Sequence, residues 1–178
     1  FISPVPTTTL YVAPPGQDVA PGATFTAQIM IRDVNNMGGY ETELHYDPDL
    51  VHVLDVELGA FPGSTGNNCS LLGPEIDNTD GMTSMGVFCF GGEPGPDGEG
   101  DIALVTMEAV GDDGSSLLEL QASQVTNKGG DPIEPIDEED GEVSIVGFGV
   151  ELSGDTYVQG FAGQTVSHGY TVTNTGGI

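Results

Sequence analysis

The stretch from Gly38 to Leu58 constrains the fold more than any other part of this chain. Tyr40, Thr42, Leu44 and Tyr46 fall on one side at period two, and Glu41, Glu43 and His45 on the other. That alternation is the mark of a strand with one buried face. Asp47-Pro48-Asp49 ends it, because proline has no amide hydrogen to donate and the flanking aspartates favour a turn. Val51, Val53, Val56 and Leu58 then resume an extended, largely β-branched run. The stretch predicts two consecutive sandwich strands joined by a short corner.

The rest of the sequence follows the same rule of short strands and frequent turns. With 28 glycines and 12 prolines among 178 residues, and no long helical period, an all-β class is expected. Thr8–Ala13 reads as a first strand after an extended lead-in, broken by Pro14-Pro15-Gly16, and Val19–Gly22 as a turn. Thr24–Asp33 places Phe25, Ala27, Ile29 and Ile31 on one face. Residues 60–68 and 93–100 read as loops. Ile102–Val110 and Leu117–Val125 are strands joined by Gly111-Asp112-Asp113-Gly114, and Glu142–Val146 is a closing strand after a turn-rich, acidic stretch over 127–139.

Cys69–Asp77 and Met82–Phe90 predict a hairpin around Asn78-Thr79-Asp80-Gly81. With a three-residue loop over 78–80 and Gly81 at positive φ, Cys69 stands opposite Cys89. In a secreted chain with two cysteines that geometry favours a disulfide, two free thiols on neighbouring strands being the alternative. Met82–Phe90 is apolar on both sides: Met85 and Val87 lie with Cys89 on one, Phe88 and Phe90 on the other. In a two-layer sandwich such a strand needs a cover for its outer side, either a partner or the chain's own loops or tail.

Taken in order, these blocks resemble the cohesin family. They are the strand ending in Tyr46-Asp47-Pro48, the aliphatic strand ending in Glu57-Leu58-Gly59, TSMGVFCFG at 83–91, GDIALVTMEA at 100–109, and the close at Gly141–Ile145. The resemblance runs over roughly residues 8 to 147. It implies a jelly-roll β-sandwich that binds another protein and carries no catalysis. It also implies a partner face built from strands that include 40–46 and 82–90, which assigns Glu41, Glu43, His45, Met85 and Val87 to docking.

Charge narrows the function further. Twenty-eight carboxylates face two basic side chains, Arg32 and Lys128, for a formal net charge of −26. No basic patch can be assembled for nucleic acid. The acids serve either as a solubilising or salt-adapted surface, or in part as oxygen ligands for calcium, which such donors suit. The candidate ligands are Asp97, Glu99 and Asp101, spaced at alternate positions, and Asp137 with Asp140 in a four-carboxylate run. Asp77 and Asp80 flank a turn, where capping the backbone is the simpler role. Histidines 45, 52 and 168 form no recognisable catalytic set, and no serine or cysteine has a nucleophile's context, so no enzyme is expected.

The chain opens on Phe1 with no signal-like apolar run, as a processed secreted or cell-surface protein would. Residues 1–147 are expected to form the sandwich and 148–178 two further strands. These resemble the start of an immunoglobulin-like surface module, or strands donated to a neighbour. Val150, Leu152 and Tyr157 carry one apolar run and Val166, Tyr170 and Val172 the other. Three functions follow: a subunit assembling head-to-tail into a filament by strand donation, a scaffold module binding a dockerin-like partner, and a carbohydrate-binding module. The last is weakened by the absence of tryptophan.

Overall fold

The computed structural model describes residues 7–147, 149–154, 160–165, 167 and 169–174. Strands β1 (Thr8–Ala13), β2 (Gly16–Val19), β3 (Thr24–Val34), β4 (Met37–His45) and β5 (Val51–Leu58) come first. β6 (Asn68–Asp77), β7 (Met82–Phe90), β8 (Gly98–Ala109) and β9 (Gly114–Asn127) follow. β10 (Ile136–Glu139), β11 (Gly141–Ile145), β12 (Val150–Gly154) and β13 (Tyr170–Asn174) complete the order. One sheet runs β10-β1-β3-β8-β5, a second β2-β11-β9-β4-β7-β6, and β12 pairs with β13 in a sheet of their own. The fold is the expected all-β jelly roll.

Neighbours in sequence often change sheets. β4 lies in the second sheet and β5 in the first, so Asp47-Pro48-Asp49 is the corner that the sequence predicts. Asp47 Oδ1 accepts from the Asp49 amide at 2.9 Å and holds that corner closed. β1 and β10 pair in parallel, as do β2 and β11, while the other ladders are antiparallel. Between the sheets lie Leu10, Ile29, Ile31, Leu44, Met85, Ile102, Met107 and Leu118, each essentially without solvent contact. Burying each such side chain stabilises the fold by about 1.5–3 kcal/mol.

The structure departs from the sequence expectation in four places. β8 begins at Gly98, so Asp97–Asp101 is mostly strand rather than a flexible loop. Ile136–Glu139, expected in a turn-rich stretch, is an edge strand paired with β1. Gly16–Val19, read as a break and turn, is a short edge strand. The β6–β7 turn holds four residues, Asn78 to Gly81, because Asp77 pairs with Met82. An irregularity between Leu72 and Glu75, at Gly73-Pro74, then shifts the ladder by one. Proline cannot donate to a ladder, so a bulge is where it fits. The shift restores the expected register, and Cys69 lies opposite Cys89 after all.

Candidate partner-binding face

Strand β4 sets the geometry of the exposed side of the second sheet. Tyr40, Thr42, Leu44 and Tyr46 point into the core, which leaves Glu41, Glu43 and His45 outward. Pairing of Glu41 with Gly86 on β7 and with Gln124 on β9 puts those residues on the same outer side. β7 adds Phe88 and Phe90, which stack at a centroid distance of 5.7 Å. Leu72 of β6, opposite Gly86, is 54% exposed, and Phe88 and Phe90 are 45% and 51% exposed. Three large apolar side chains thus stand together on a sheet face that faces solvent.

Two shallow hollows lie among them. One, of about 270 Å³, is lined by Glu41, Leu72, Glu75, Ser84 and Gly86 among others. Its neighbour, about 230 Å³, is lined by Gly39, Glu41, Leu72, Phe88 and Gln124 among others. Glu41 and Leu72 border both. Gly86 keeps the floor bare, since a Cβ there would meet the Tyr40 carbonyl oxygen at 3.3 Å.

The docking residues expected from sequence divide accordingly. Glu41, Glu43 and His45 do face outward, and Glu43 Oε2 lies 3.0 Å from His45 Nε2. Met85 and Val87 do not: they are buried in the core at 2% and 3% exposure. Met85 pairs with inward-facing Thr42, so it shares the core side of the sheet. Phe88 and Phe90 supply the outer apolar surface instead. Their alternation with Val87 and Cys89 is visible in the sequence, whereas nothing marks Leu72, beside the bulge, as exposed.

Cys69 and Cys89 form a disulfide with their Cα atoms 4.1 Å apart, tying edge strand β6 to β7 beside the apolar cluster. Lys128 Nζ donates to the Cys89 carbonyl oxygen at 3.0 Å. Arg32, the other cation, lies on the opposite sheet, hydrogen-bonded to Glu139 and stacked 4.9 Å from the Tyr11 ring centroid. That contact holds the Glu139 carboxyl below the usual carboxylate range. The Tyr11 hydroxyl donates to Glu99 Oε1 at 2.5 Å, and burial together with that bond pushes its pKa up to about 12.

Four of the five acids considered as calcium ligands have local partners. Asp97 Oδ1 accepts from the Asn36 amide at 2.6 Å, Asp101 Oδ2 from Ala60 at 2.8 Å, and Asp140 Oδ1 from Leu120 at 2.9 Å. Glu99 takes the Tyr11 hydroxyl, and Asp137 is exposed on edge strand β10. Among the described residues no three His, Cys, Asp or Glu side chains gather as a metal set. Asp77 caps its turn, accepting from Thr79 and Asp80 at 2.8 and 3.1 Å, and those bonds hold its carboxyl below the usual range.

In the C-terminal segment, β12 and β13 pair antiparallel from Val150 opposite Asn174 to Gly154 opposite Tyr170. Val150 and Leu152 lie on β12, while Tyr170 and Val172 on β13 are 60% and 65% exposed. Tyr157 and Val166 fall outside the described residues. Among the described residues no helix is long and apolar enough to cross a membrane.

A family model described as the cohesin domain matches residues 11–145. The chain belongs to the cohesin family. That family is a non-catalytic protein-interaction module. Solved cohesins share the fold. A non-cellulosomal cohesin from the archaeon Archaeoglobus fulgidus superposes with a TM-score of 0.62 at 16% identity, over 79% of this chain and 91% of that one. A type I cohesin–dockerin complex from Clostridium thermocellum gives 0.63 at 20% identity, over 78% and 93%. A cohesin of Acetivibrio cellulolyticus in complex with a dockerin gives 0.63 at 15%, over 78% and 99%. Comparison with curated proteins gives no match.

Proposed function

We propose that this cohesin is an extracellular, non-catalytic scaffold module that binds a dockerin-like protein through the outer face of β9, β4, β7 and β6. The observation that carries this reading is the exposed set of Leu72, Phe88 and Phe90 on that face, with Leu72 bordering both hollows and Phe88 one. Covering it removes apolar surface from water, the main favourable term in association. The resemblance to cohesins solved with dockerins supports the class of partner. To test it, a photo-reactive residue replaces Phe88 in one variant and Leu54, exposed on the other sheet, in a second. The chain is then mixed with extracellular proteins of its source. Crosslinking to a dockerin-containing protein from position 88 and not from 54 supports the reading. Crosslinking from 54 alone overturns it.

A second reading rests on β12 and β13. They form a two-stranded sheet of their own, with Tyr170 and Val172 of β13 exposed at 60% and 65% and Phe161, between the strands, at 83%. A two-stranded ribbon is marginal alone, and its edges invite pairing with another sheet. In this reading residues 148–178 are donated to the next subunit, a head-to-tail contact that propagates. A chain ending at Gly147 then stays monomeric where the full chain assembles. Equal oligomeric states of the two reject it. Calcium bound among the acids at 97–101 and 137–140 is part of the same proposal, supported by the net charge of −26.

A further inference from the structure

We infer that Asn68 is a glycosylation site, whose side-chain amide takes an oligosaccharide from a lipid-linked donor during export. The inference is independent of which partner the module binds.

Asn68-Cys69-Ser70 has the spacing that attachment of a glycan to asparagine requires: a serine two residues on, with no proline between. Of the chain's asparagines, Asn68 alone is followed at that distance by serine or threonine. The structure separates it from its neighbour. Asn67 is buried, and its Nδ2 donates to Thr65 Oγ1 at 3.0 Å and to the Glu93 and Pro94 carbonyls at 3.1 and 2.8 Å. Asn36, Asn78 and Asn127 also hold turns or strands through their side chains. Asn68 is exposed, and among the described residues its side-chain amide has no hydrogen bond. The Ser70 hydroxyl has none either. The two side chains that a glycosyl transferase must engage are thus the ones the fold leaves unused.

The surroundings have room for a glycan. Asn68 opens β6, the last strand of its sheet, so no further strand crowds it. Directly across the ladder lies Phe90, 51% exposed, and cross-strand partners share a face with their Cβ atoms about 5 Å apart. The Phe90 ring gives the C–H groups of a first sugar an apolar surface to lie on. Asn68 borders neither hollow beside Leu72, which stands four residues along β6, about 13 Å away. Cys69, the middle residue, is held in a disulfide, a bond that persists in the oxidising surroundings an exported chain meets. In the transfer, Nδ2 attacks the anomeric carbon of an oligosaccharide carried on a lipid phosphate. A carbon–nitrogen bond forms, the bond from that carbon to the phosphate oxygen breaks, and the lipid phosphate leaves with the electron pair. The amide proton passes to a base of the transferase. The product is a bulky, solvated group at an exposed strand end.

Mass spectrometry of the full chain, exported by its own source and digested, tests this. The peptide that contains Asn68 should carry the added mass of an oligosaccharide, with fragmentation placing it on that residue. Asn68→Gln and Ser70→Ala should each lose the added mass. Ser70→Thr, which keeps the hydroxyl, should retain it, as should Asn35→Gln, a change at an exposed asparagine without the spacing. An Asn68 peptide of unmodified mass from the exported wild-type chain overturns the inference, whatever the variants do. Added mass that survives Ser70→Ala, or that fragmentation places on another residue, overturns it as well.

Discussion

The side-chain amide of Asn78 bonds both backbone groups of Val53. The Val53 N–H donates to Asn78 Oδ1 at 2.8 Å, and Asn78 Nδ2 donates to the Val53 carbonyl at 2.9 Å. Val53 lies on β5, the edge of its sheet, just before a register shift against β8. One asparagine in the β6–β7 turn therefore stands in for a missing strand neighbour and links the two sheets. The Tyr46 hydroxyl donates to the same Oδ1 at 2.7 Å. Such capping also keeps an open edge from recruiting another chain.

Asn78→Ala removes these partners at once. Stability in urea is expected to fall by about 2–3 kcal/mol, since partly buried backbone groups lose hydrogen bonds and gain nothing. A change below about 0.5 kcal/mol would mean that water replaces the amide without loss.

The disulfide closes a loop with a sequence separation of 20. Constraint of the unfolded chain by a loop of that size is worth about 3 kcal/mol. A Cys69→Ser, Cys89→Ser variant should lose stability on that scale and still fold, because Leu71 and Ile76 keep β6 packed against the core cluster. Mass measurement after alkylation tests the bond itself: the native chain should take up no label. Two labelled thiols would reject the pairing.

The strands and the Cys69–Cys89 pairing were legible in the sequence because each depends on short-range pattern. Period-two alternation marks β3, β4 and β5, and two cysteines on one hairpin leave little freedom. The sequence pattern alone suggests a turn one residue too short, and the bulge at Gly73-Pro74 compensates. Edge strands β2 and β10 were hidden, being short, acidic or proline-flanked, and defined by the neighbour they pair with in parallel. The face was half legible. Glu41, Glu43 and His45 follow from alternation, but Met85 needed the cross-strand pairing with Thr42 to be assigned to the core. Leu72 became part of the site through tertiary placement alone.

Alkaline pH should destabilise this protein in a defined window. Burial raises the pKa of Tyr40, whose hydroxyl donates to the Ile102 carbonyl at 2.8 Å, and of Tyr46, while Tyr11 reaches about 12. A raised folded-state pKa favours the neutral phenol. Its contribution is complete below the ordinary value of 10.0 and is lost as pH rises through the folded values. Melting temperature should fall as pH rises above that point, and Tyr40→Phe should soften the fall. A phenolate absorbance difference between the wild type and Tyr40→Phe that develops at the ordinary value in the folded protein would contradict this.

Salt should stabilise the chain. With 28 acids against two bases, screening relieves repulsion throughout the folded surface. Melting temperature is expected to rise with sodium chloride from low ionic strength. If the acid runs at 97–101 and 137–140 hold calcium, micromolar to millimolar calcium adds a rise beyond that of salt matched for ionic strength. Identical curves leave screening as the whole effect.

Hydrogen exchange of the full chain, alone and with its crosslinked partner protein, tests the docking face most directly. Added protection is expected on β4, β6 and β7, around Glu41, Leu72 and Phe88, with β1, β3 and β5 unchanged. Protection confined to the β10-β1-β3-β8-β5 sheet, or to β12 and β13, would contradict the account.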